Sequence, residues 1–128
     1  MPKTKLARIV VVEDEPAILE MYKMKLESSD FEAFTAEDGQ QGLKVIEESK
    51  PDLVLLDIKM PVMSGDEMLE KLRETDWGAD IRVIVLTNIS RDEAPHNLRF
   101  LGVDRYIVKA HFTPTQVIDV VKEILNIK

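Results

Sequence analysis

The sequence predicts an α/β fold, a three-layer sandwich in which helices cover both faces of a parallel five-stranded sheet. Strand-like runs and helix-like runs alternate five times along the 128 residues, with a turn signal at almost every change. This alternation is typical of parallel strands joined by right-handed helical crossovers. The first and third strand-like runs are also nearly continuous in apolar residues, as expected for strands covered by helices on both faces.

Two strand-helix units come first in the chain. Residues 7–12 are rich in β-branched apolar residues and predict the first strand. Residues 13–16 open the first helix, because acids suit the positive N-terminal end of a helix and proline is tolerated in its first turn. Residues 31–35 predict a second strand, and residues 38–49 predict a second helix. The side chains expected to face the core from these helices are Ile18, Met21, Tyr22, Leu26, Leu43 and Ile46.

The third unit contains the most apolar tetrad in the chain, residues 53–56, which predicts the central strand. This strand runs directly into Asp57. An irregular loop over residues 58–64 follows, in which Pro61 is a turn signal, and Gly65 marks its end. A helix is expected next, and its predicted inward-facing residues are Met68, Leu69 and Leu72.

The last two units complete the sheet. Residues 81–86 predict the fourth strand, and residues 105–108 predict the fifth. Between them, residues 90–101 predict a helix whose start is delayed or distorted by Pro95 and which ends at Gly102. A final helix begins at Thr113-Pro114, and its apolar residues recur at helical spacing, at Val117, Val120, Val121, Ile124 and Leu125. For five such units the flavodoxin-like strand order 2-1-3-4-5 is favoured, within one domain over residues 1–128.

Composition limits the classes of partner. The net charge is −7, no dense run of lysine and arginine is present, and no apolar run approaches the length of a membrane span. An acidic chain of this kind is not suited to nonspecific binding of nucleic acid. The absence of cysteine excludes a disulfide framework and a thiolate metal site. We therefore expect a cytoplasmic protein with protein partners, and no nucleic-acid or membrane partner.

Polar side chains leave the carboxyl ends of four predicted strands, where ligands bind in sheets of this kind. They are Glu13, Asp14, Asp57, Thr87 and Lys109. Strands one and three are neighbours in the predicted order, so their three carboxylates should meet in one crevice. Such a cluster either raises a pKa or binds a cation, and oxygen ligands suit Mg²⁺. With an ammonium and a hydroxyl on the same rim, the crevice is suited to receive a phosphoryl group attacked by a carboxylate.

Each of these residues also has a purely structural interpretation. The acids of residues 13–15 could cap a helix, Asp57 could cap the element that follows it, Thr87 could end its strand, and Lys109 could be solvated. Those interpretations do not explain why all of them fall at the carboxyl ends of parallel strands. The coincidence favours a functional site.

Four segments in order resemble the receiver domain of bacterial two-component response regulators, and the resemblance covers the whole chain. They are residues 10–15, residues 55–61 with Gly65, residues 85–87 and residues 106–109. The resemblance implies that Asp57 accepts a phosphoryl group from a histidine kinase or a histidine phosphotransfer protein. It also implies that Mg²⁺ is held by the side chains of Glu13, Asp14 and Asp57 and by the backbone carbonyl of Lys59.

The resemblance further implies a switch. Lys109 would pair with the phosphoryl oxygens, Thr87 would move to hydrogen-bond one of them, and Tyr106 would swing inward behind it. This motion would remodel the face formed by the fourth helix, fifth strand and fifth helix, which a downstream protein target reads. The protein would then be a phosphoryl acceptor with self-catalysed phosphorylation and slow dephosphorylation, rather than a turnover enzyme. Without the resemblance, Tyr106 would be interpreted as a half-buried strand aromatic.

Four positions depart from the usual pattern of that family. Glu13 stands where many members have aspartate, and its longer arm would reach the metal through water. Asn88 follows Thr87 where a small residue is usual, which predicts slower transfer from small donors and slower hydrolysis. Lys59 puts a flexible cation near the phosphoryl site. Ala110 replaces the usual proline after Lys109, so that either the bond is trans and the loop is shaped differently, or a costly cis bond is retained.

Two rival functions fit parts of the sequence. A Mg²⁺-dependent phosphatase of the haloacid dehalogenase type also uses an aspartate at a strand end, but it needs a second acid where this chain has Lys59. A receiver-fold interaction module that is no longer phosphorylated would be consistent with Asn88 and Ala110. The complete set of acids counts against that second rival.

Overall fold

The structure is a computed structural model that describes residues 6–127. Five β-strands are present, β1 Arg8–Val12, β2 Glu32–Ala36, β3 Leu53–Leu56, β4 Arg82–Thr87 and β5 Arg105–Val108. The described residues also form four α-helices, α1 Pro16–Ser28, α2 Gly39–Ser49, α3 Gly65–Arg73 and α4 Pro114–Ile124. Short 3-10 helices occupy Arg91–Glu93, His96–Phe100 and Lys109–His111.

The strands are all parallel and lie in the order β2-β1-β3-β4-β5, which confirms the predicted topology. Strand order reverses beside β1, whose neighbours are β2 and β3. In the β1–β3 pair, Val12 lies opposite Leu56. The chain segments that leave these two strands therefore start at the same level of the sheet.

Side chains alternate along each strand between two apolar clusters, one on each face of the sheet. In β1, Ile9 and Val11 belong to the cluster under α1 and α4, whereas Val10 and Val12 belong to the cluster under α2 and α3. All four are almost completely buried, and burying a side chain of this size contributes about 1.5–3 kcal/mol. Burial on both faces is the reason that β1 and β3 are apolar nearly throughout.

The single helix predicted over residues 90–101 is wrong, whereas the expected distortion at Pro95 is confirmed. The chain instead forms two 3-10 helices separated by Ala94 and Pro95, both of which have extended backbone angles. Proline lacks the amide hydrogen that an α-helix needs and disfavours the helical conformation of the residue before it. The prediction of five α-helices is therefore also wrong for the described residues, which contain four.

Three strands differ from their predicted bounds by one residue, the first at its start only, and the second and fourth at both ends. The second strand begins at Glu32 rather than at Phe31, because the amide of Phe31 bonds to the carbonyl of Leu26 and closes the preceding helix. The fourth strand extends to Thr87, which is thus its last residue. The first strand begins at Arg8. The third and fifth strands have the predicted bounds.

The helices of the described region are short. The longest, α1, has 13 residues. No helix within residues 6–127 combines the length and the apolar character needed to cross a membrane. The cytoplasmic location and the absence of a membrane partner remain predictions.

Candidate functional site

The three predicted carboxylates meet at the carboxyl end of the sheet. Glu13, Asp14 and Asp57 each offer an oxygen, and these oxygens lie within 4.8 Å of one another. The main chain fixes their positions, because the sheet ladder continues one residue beyond the strands. The amide of Asp57 donates to the carbonyl of Val12 at 3.0 Å, and the amide of Glu13 donates to the carbonyl of Ala36 at 3.0 Å.

Asp57 is held in one orientation inside this cluster. Its Oδ1 accepts a hydrogen bond from the amide of Ile58 at 2.8 Å, and its Oδ2 lies 3.5 Å from Nζ of Lys109. The side chain is 10% exposed, so that most of it is shielded from solvent. Oδ1 of Asp57 is therefore bound by the backbone, and Oδ2 faces the Lys109 ammonium.

Lys109 makes its shorter contact with Glu13. Its ammonium donates to Oε1 of Glu13, while Oε2 of Glu13 accepts from the amide of Glu15 at 3.1 Å. Burial alone would lower the pKa of Lys109, but the hydrogen bond with Glu13 and the charge of Asp57 outweigh burial and raise it. Burial raises the pKa of Glu13, against the opposing effect of the Lys109 hydrogen bond. Two carboxylates, those of Glu13 and Asp57, lie within contact distance of the Lys109 ammonium and favour its charged form.

Thr87 and Tyr106 both contact the segment that follows β4. Thr87 is buried, and its hydroxyl accepts a hydrogen bond from the amide of Ile89 at 3.4 Å. The Tyr106 hydroxyl donates to the carbonyl of Ile89 at 2.7 Å, and the guanidinium of Arg91 lies 5.9 Å from the centre of its ring. Burial raises the pKa of the Tyr106 phenol. The sequence predicts neither contact with Ile89, because a backbone carbonyl or amide leaves no sequence signal.

The loop after Asp57 depends on a glycine. A β-carbon on Gly65 would lie 2.0 Å from the carbonyl oxygen of Asp57, a distance that no side chain can occupy. The amide of Gly65 also donates to the carbonyl of Ile58 at 2.8 Å. The sequence alone identifies Gly65 as a turn residue, whereas the structure shows that it allows α3 to start directly against the backbone of Asp57.

Three positions at the rim of the site have exposed side chains, Lys59, Asn88 and Ala110. Within residues 6–127 no peptide bond is cis, so the Lys109–Ala110 bond is trans. Residues Lys109–His111 form a 3-10 turn that carries Lys109 into the crevice. The expected role of the Lys59 carbonyl remains a prediction.

Fold and site together define a class of protein, a parallel α/β domain with an acidic crevice, a partly buried lysine and a strand-end threonine. Residues 9–122 match the family described as response regulator receiver domain. The chain belongs to this family, which confirms the resemblance and the flavodoxin-like fold class. Receiver domains of two-component response regulators are signalling modules.

Named relatives agree with this family. Over 118 residues the chain is 36% identical to the phosphate regulon transcriptional regulatory protein PhoB of Pseudomonas aeruginosa, covering 92% of this chain and 51% of PhoB. The chain thus spans about half the length of the curated relatives that it matches. Because these relatives are transcriptional regulators by name, the expected absence of a nucleic-acid partner stays a prediction.

Solved structures show the same architecture. A CheY-like response regulator receiver domain protein from Methanospirillum hungatei has a TM-score of 0.85 and 34% identity, with 95% of each chain covered. The response regulator TrrA from Thermotoga maritima, solved in complex with Mg²⁺-BeF, has a TM-score of 0.80 and 36% identity. That match covers 92% of this chain and 98% of TrrA.

Proposed function

We propose that this chain is a phosphorylation-controlled switch in which Asp57 accepts a phosphoryl group from a histidine kinase or a histidine phosphotransfer protein. One observation carries the proposal. The Asp57 carboxylate lies within 4.8 Å of two further acids and 3.5 Å from the Lys109 ammonium, in a crevice at the carboxyl end of the sheet. This arrangement provides a nucleophile, a set of cation ligands and a positive charge for the phosphoryl oxygens.

The donor set fits Mg²⁺. Three carboxylates and one ammonium leave an excess of negative charge in a largely buried crevice, and hard oxygen ligands match this cation. Glu13, Asp14 and Asp57 are the side chains that would hold it, and the Lys59 carbonyl is the expected fourth ligand. When bound, Mg²⁺ supplies charge neutralisation for the phosphoryl oxygens.

The chain's own residues carry the transfer step. The amide of Ile58 holds Oδ1 of Asp57, and we assign Oδ2 as the nucleophile because it faces Lys109. As Oδ2 attacks the phosphorus of the phosphohistidine, the new O–P bond forms and the N–P bond breaks. The imidazole leaves with the bonding electron pair. Lys109 stabilises the negative charge of the transferred group.

The response is expected to travel through Thr87. On phosphorylation its hydroxyl would donate to a phosphoryl oxygen, and the space that it vacates would admit Tyr106. Tyr106 would then release the carbonyl of Ile89. A cavity of about 640 Å³ lies beside Tyr106 and is lined by residues of the β4–β5 segment and of β5. We assign this face, together with α4, to the downstream protein target.

A receiver-fold interaction module that no longer takes phosphate is the second candidate. Its support is the Lys109 contact, because an ammonium bound to Glu13 is not free to meet a phosphoryl group. The acid cluster favours phosphorylation over this candidate. A phosphatase of the haloacid dehalogenase type is less consistent with the site, since Lys59 carries no acid.

Intact-mass measurement after incubation with acetyl phosphate and Mg²⁺, and separately with a phosphorylated histidine kinase, tests the proposal. We expect a gain of one phosphoryl group that requires Mg²⁺ and is lost in Asp57→Asn. The matched control is Asp52→Asn, at the opposite end of the same strand, which should keep the gain. No gain with either donor would favour the inert module, and sustained turnover of phosphate esters would favour the phosphatase.

A further inference from the structure

The Lys109–Glu13 pair occupies an oxygen that a cation would need. Both carboxylate oxygens of Glu13 are engaged, Oε1 by the Lys109 ammonium and Oε2 by the amide of Glu15. Glu13 is 3% exposed, and the side chain of Lys109 is 13% exposed. A competing water molecule therefore has little access to the pair, which strengthens the attraction between the charges.

Side-chain length decides which carboxylate holds the lysine. The β-carbon of residue 13 is fixed by the ladder bond from its amide to Ala36. Glutamate carries its carboxylate one methylene further than aspartate, and this extra reach brings Oε1 onto the ammonium. The Asp57 carboxylate, held by Ile58, is left at 3.5 Å from Lys109.

We propose that Glu13 is a positioning residue that holds Lys109 through the closer of its two carboxylate contacts in the unphosphorylated protein, leaving the longer 3.5 Å contact to Asp57, so that a divalent cation and the Lys109 ammonium compete for the same Glu13 oxygen. Cation binding and release of Lys109 toward Asp57 are then coupled. This inference rests on the proposed function, since the cation is the Mg²⁺ of the phosphorylation site. Glu13 thereby controls when the Lys109 ammonium is released toward Asp57.

A double-mutant cycle isolates the competition. Mg²⁺ dissociation constants are measured by calorimetry on the unphosphorylated wild type, Glu13→Asp, Lys109→Met and the double variant. Glu13→Asp keeps the charge but shortens the reach. We expect it to bind Mg²⁺ roughly three to ten times more tightly than the wild type, a factor in the range of ordinary coupling energies between contacting residues. In the Lys109→Met background no ammonium competes for the Glu13 oxygen, so Glu13→Asp should not tighten Mg²⁺ binding.

A spectroscopic signal reports the lysine itself. The ¹³Cε resonance of Lys109, identified by its loss in Lys109→Met, should move on addition of Mg²⁺ to the wild type. In Glu13→Asp it should already lie near the shifted position before Mg²⁺ is added. Glu15→Asp is the matched control, because it shortens the neighbouring, exposed acid by the same methylene. It should leave both the dissociation constant and the resonance unchanged.

The outcomes separate the two proposals. If Glu13→Asp changes the Mg²⁺ dissociation constant equally in the wild-type and Lys109→Met backgrounds, the competition is overturned. If Mg²⁺ still binds and Asp57 is still phosphorylated in that case, the proposed function stands. A Lys109 resonance that ignores both Mg²⁺ and Glu13→Asp would overturn the competition as well. No Mg²⁺ binding by the wild type, together with no mass gain, would overturn both.

Discussion

The hydroxyl of Tyr106 donates a hydrogen bond of 2.7 Å to the backbone carbonyl of Ile89. This contact joins β5 to the segment that leaves β4, two residues after Thr87. Thr87 contacts the same residue through the amide of Ile89. The two side chains that are expected to move on phosphorylation therefore share one neighbour, Ile89.

Tyr106→Phe should lower the free energy of unfolding by about 1 kcal/mol, the usual net contribution of one hydrogen bond. Urea denaturation measures the effect. Tyr22→Phe is the matched control, because among the described residues the Tyr22 hydroxyl makes no such bond, and it should cost less. A Tyr106→Phe variant as stable as the wild type would contradict a role of this contact in holding the β4–β5 segment.

Gly65→Ala should destabilise the fold by about 3 kcal/mol, because its β-carbon would overlap the carbonyl of Asp57 and neither backbone segment can yield. The control is Gly102→Ala. Gly102 has a φ of 66° but its nearest non-neighbouring atom would be 3.6 Å from the new β-carbon, so that only the left-handed backbone costs energy, about 1–2 kcal/mol. Denaturant midpoints that rank the two variants in the reverse order would contradict the close approach seen at Gly65.

Arg73→Lys should lower the free energy of unfolding by about 2 kcal/mol. The Arg73 guanidinium donates to five backbone carbonyls, those of Gly78, Ala79, Ile81, Leu101 and Gly102. Lysine cannot reproduce this planar fork, and bonds from charged donors are the stronger ones. Arg82→Lys is the matched control, since among residues 6–127 the Arg82 guanidinium has a single ion pair, at 4.0 Å with Asp104, and it should change stability by less than about 0.5 kcal/mol. Similar losses in both variants would argue against the network.

Alkaline pH should weaken the wild type through Lys109. The pKa of Lys109 in the fold lies above its ordinary value of 10.5, so the folded protein keeps a proton that the unfolded chain releases first. The contribution of Lys109 to the free energy of unfolding is fully present below its ordinary pKa of 10.5 and is lost as pH rises through the folded pKa. With Mg²⁺ removed by a chelator, the free energy of unfolding should fall less steeply in Lys109→Met. Parallel pH curves for the two proteins would contradict the raised pKa.

Val62→Asn should stabilise the protein by about 1 kcal/mol. Val62 is 75% exposed and has a φ of 68°, a conformation that is costly for a β-branched residue and tolerated by asparagine. Little packing is lost on replacement, whereas the strain is relieved. Val62→Thr keeps the branched β-carbon and should give no gain in melting temperature. If the threonine variant gains as much as the asparagine variant, backbone strain is not the cause.

Most of the fold follows from the sequence. The bounds of the third and fifth strands were predictable because Asp52 and Asp57 flank one of them and Asp104 and Lys109 flank the other. The failure over residues 90–101 has a local cause, because Pro95 prevents the continuous hydrogen bonding that a helix requires. The sequence shows that Pro95 disturbs the helix, but not that it divides the segment into two short helices.

The meeting of Glu13, Asp14 and Asp57 could be predicted, because it depends only on strand order and on which residue leaves each strand. The partner of Lys109 could not be predicted. Three carboxylates lie within 4.8 Å of one another, and the choice between Glu13 and Asp57 depends on one methylene and on the bond from Ile58. Sequence spacing does not specify side-chain positions to within one methylene or one hydrogen bond.

The break at Ala94 and Pro95 gives the β4–β5 segment a joint in its middle. The half that contains Arg91 is exposed and touches Tyr106, whereas the half that contains Leu98 is anchored, with Leu98 7% exposed in the core. A continuous helix would turn as one rigid rod and carry any rotation to its far end. Here the two halves are held by different contacts, so a movement of Tyr106 would reach a docked protein first through the half that contains Arg91.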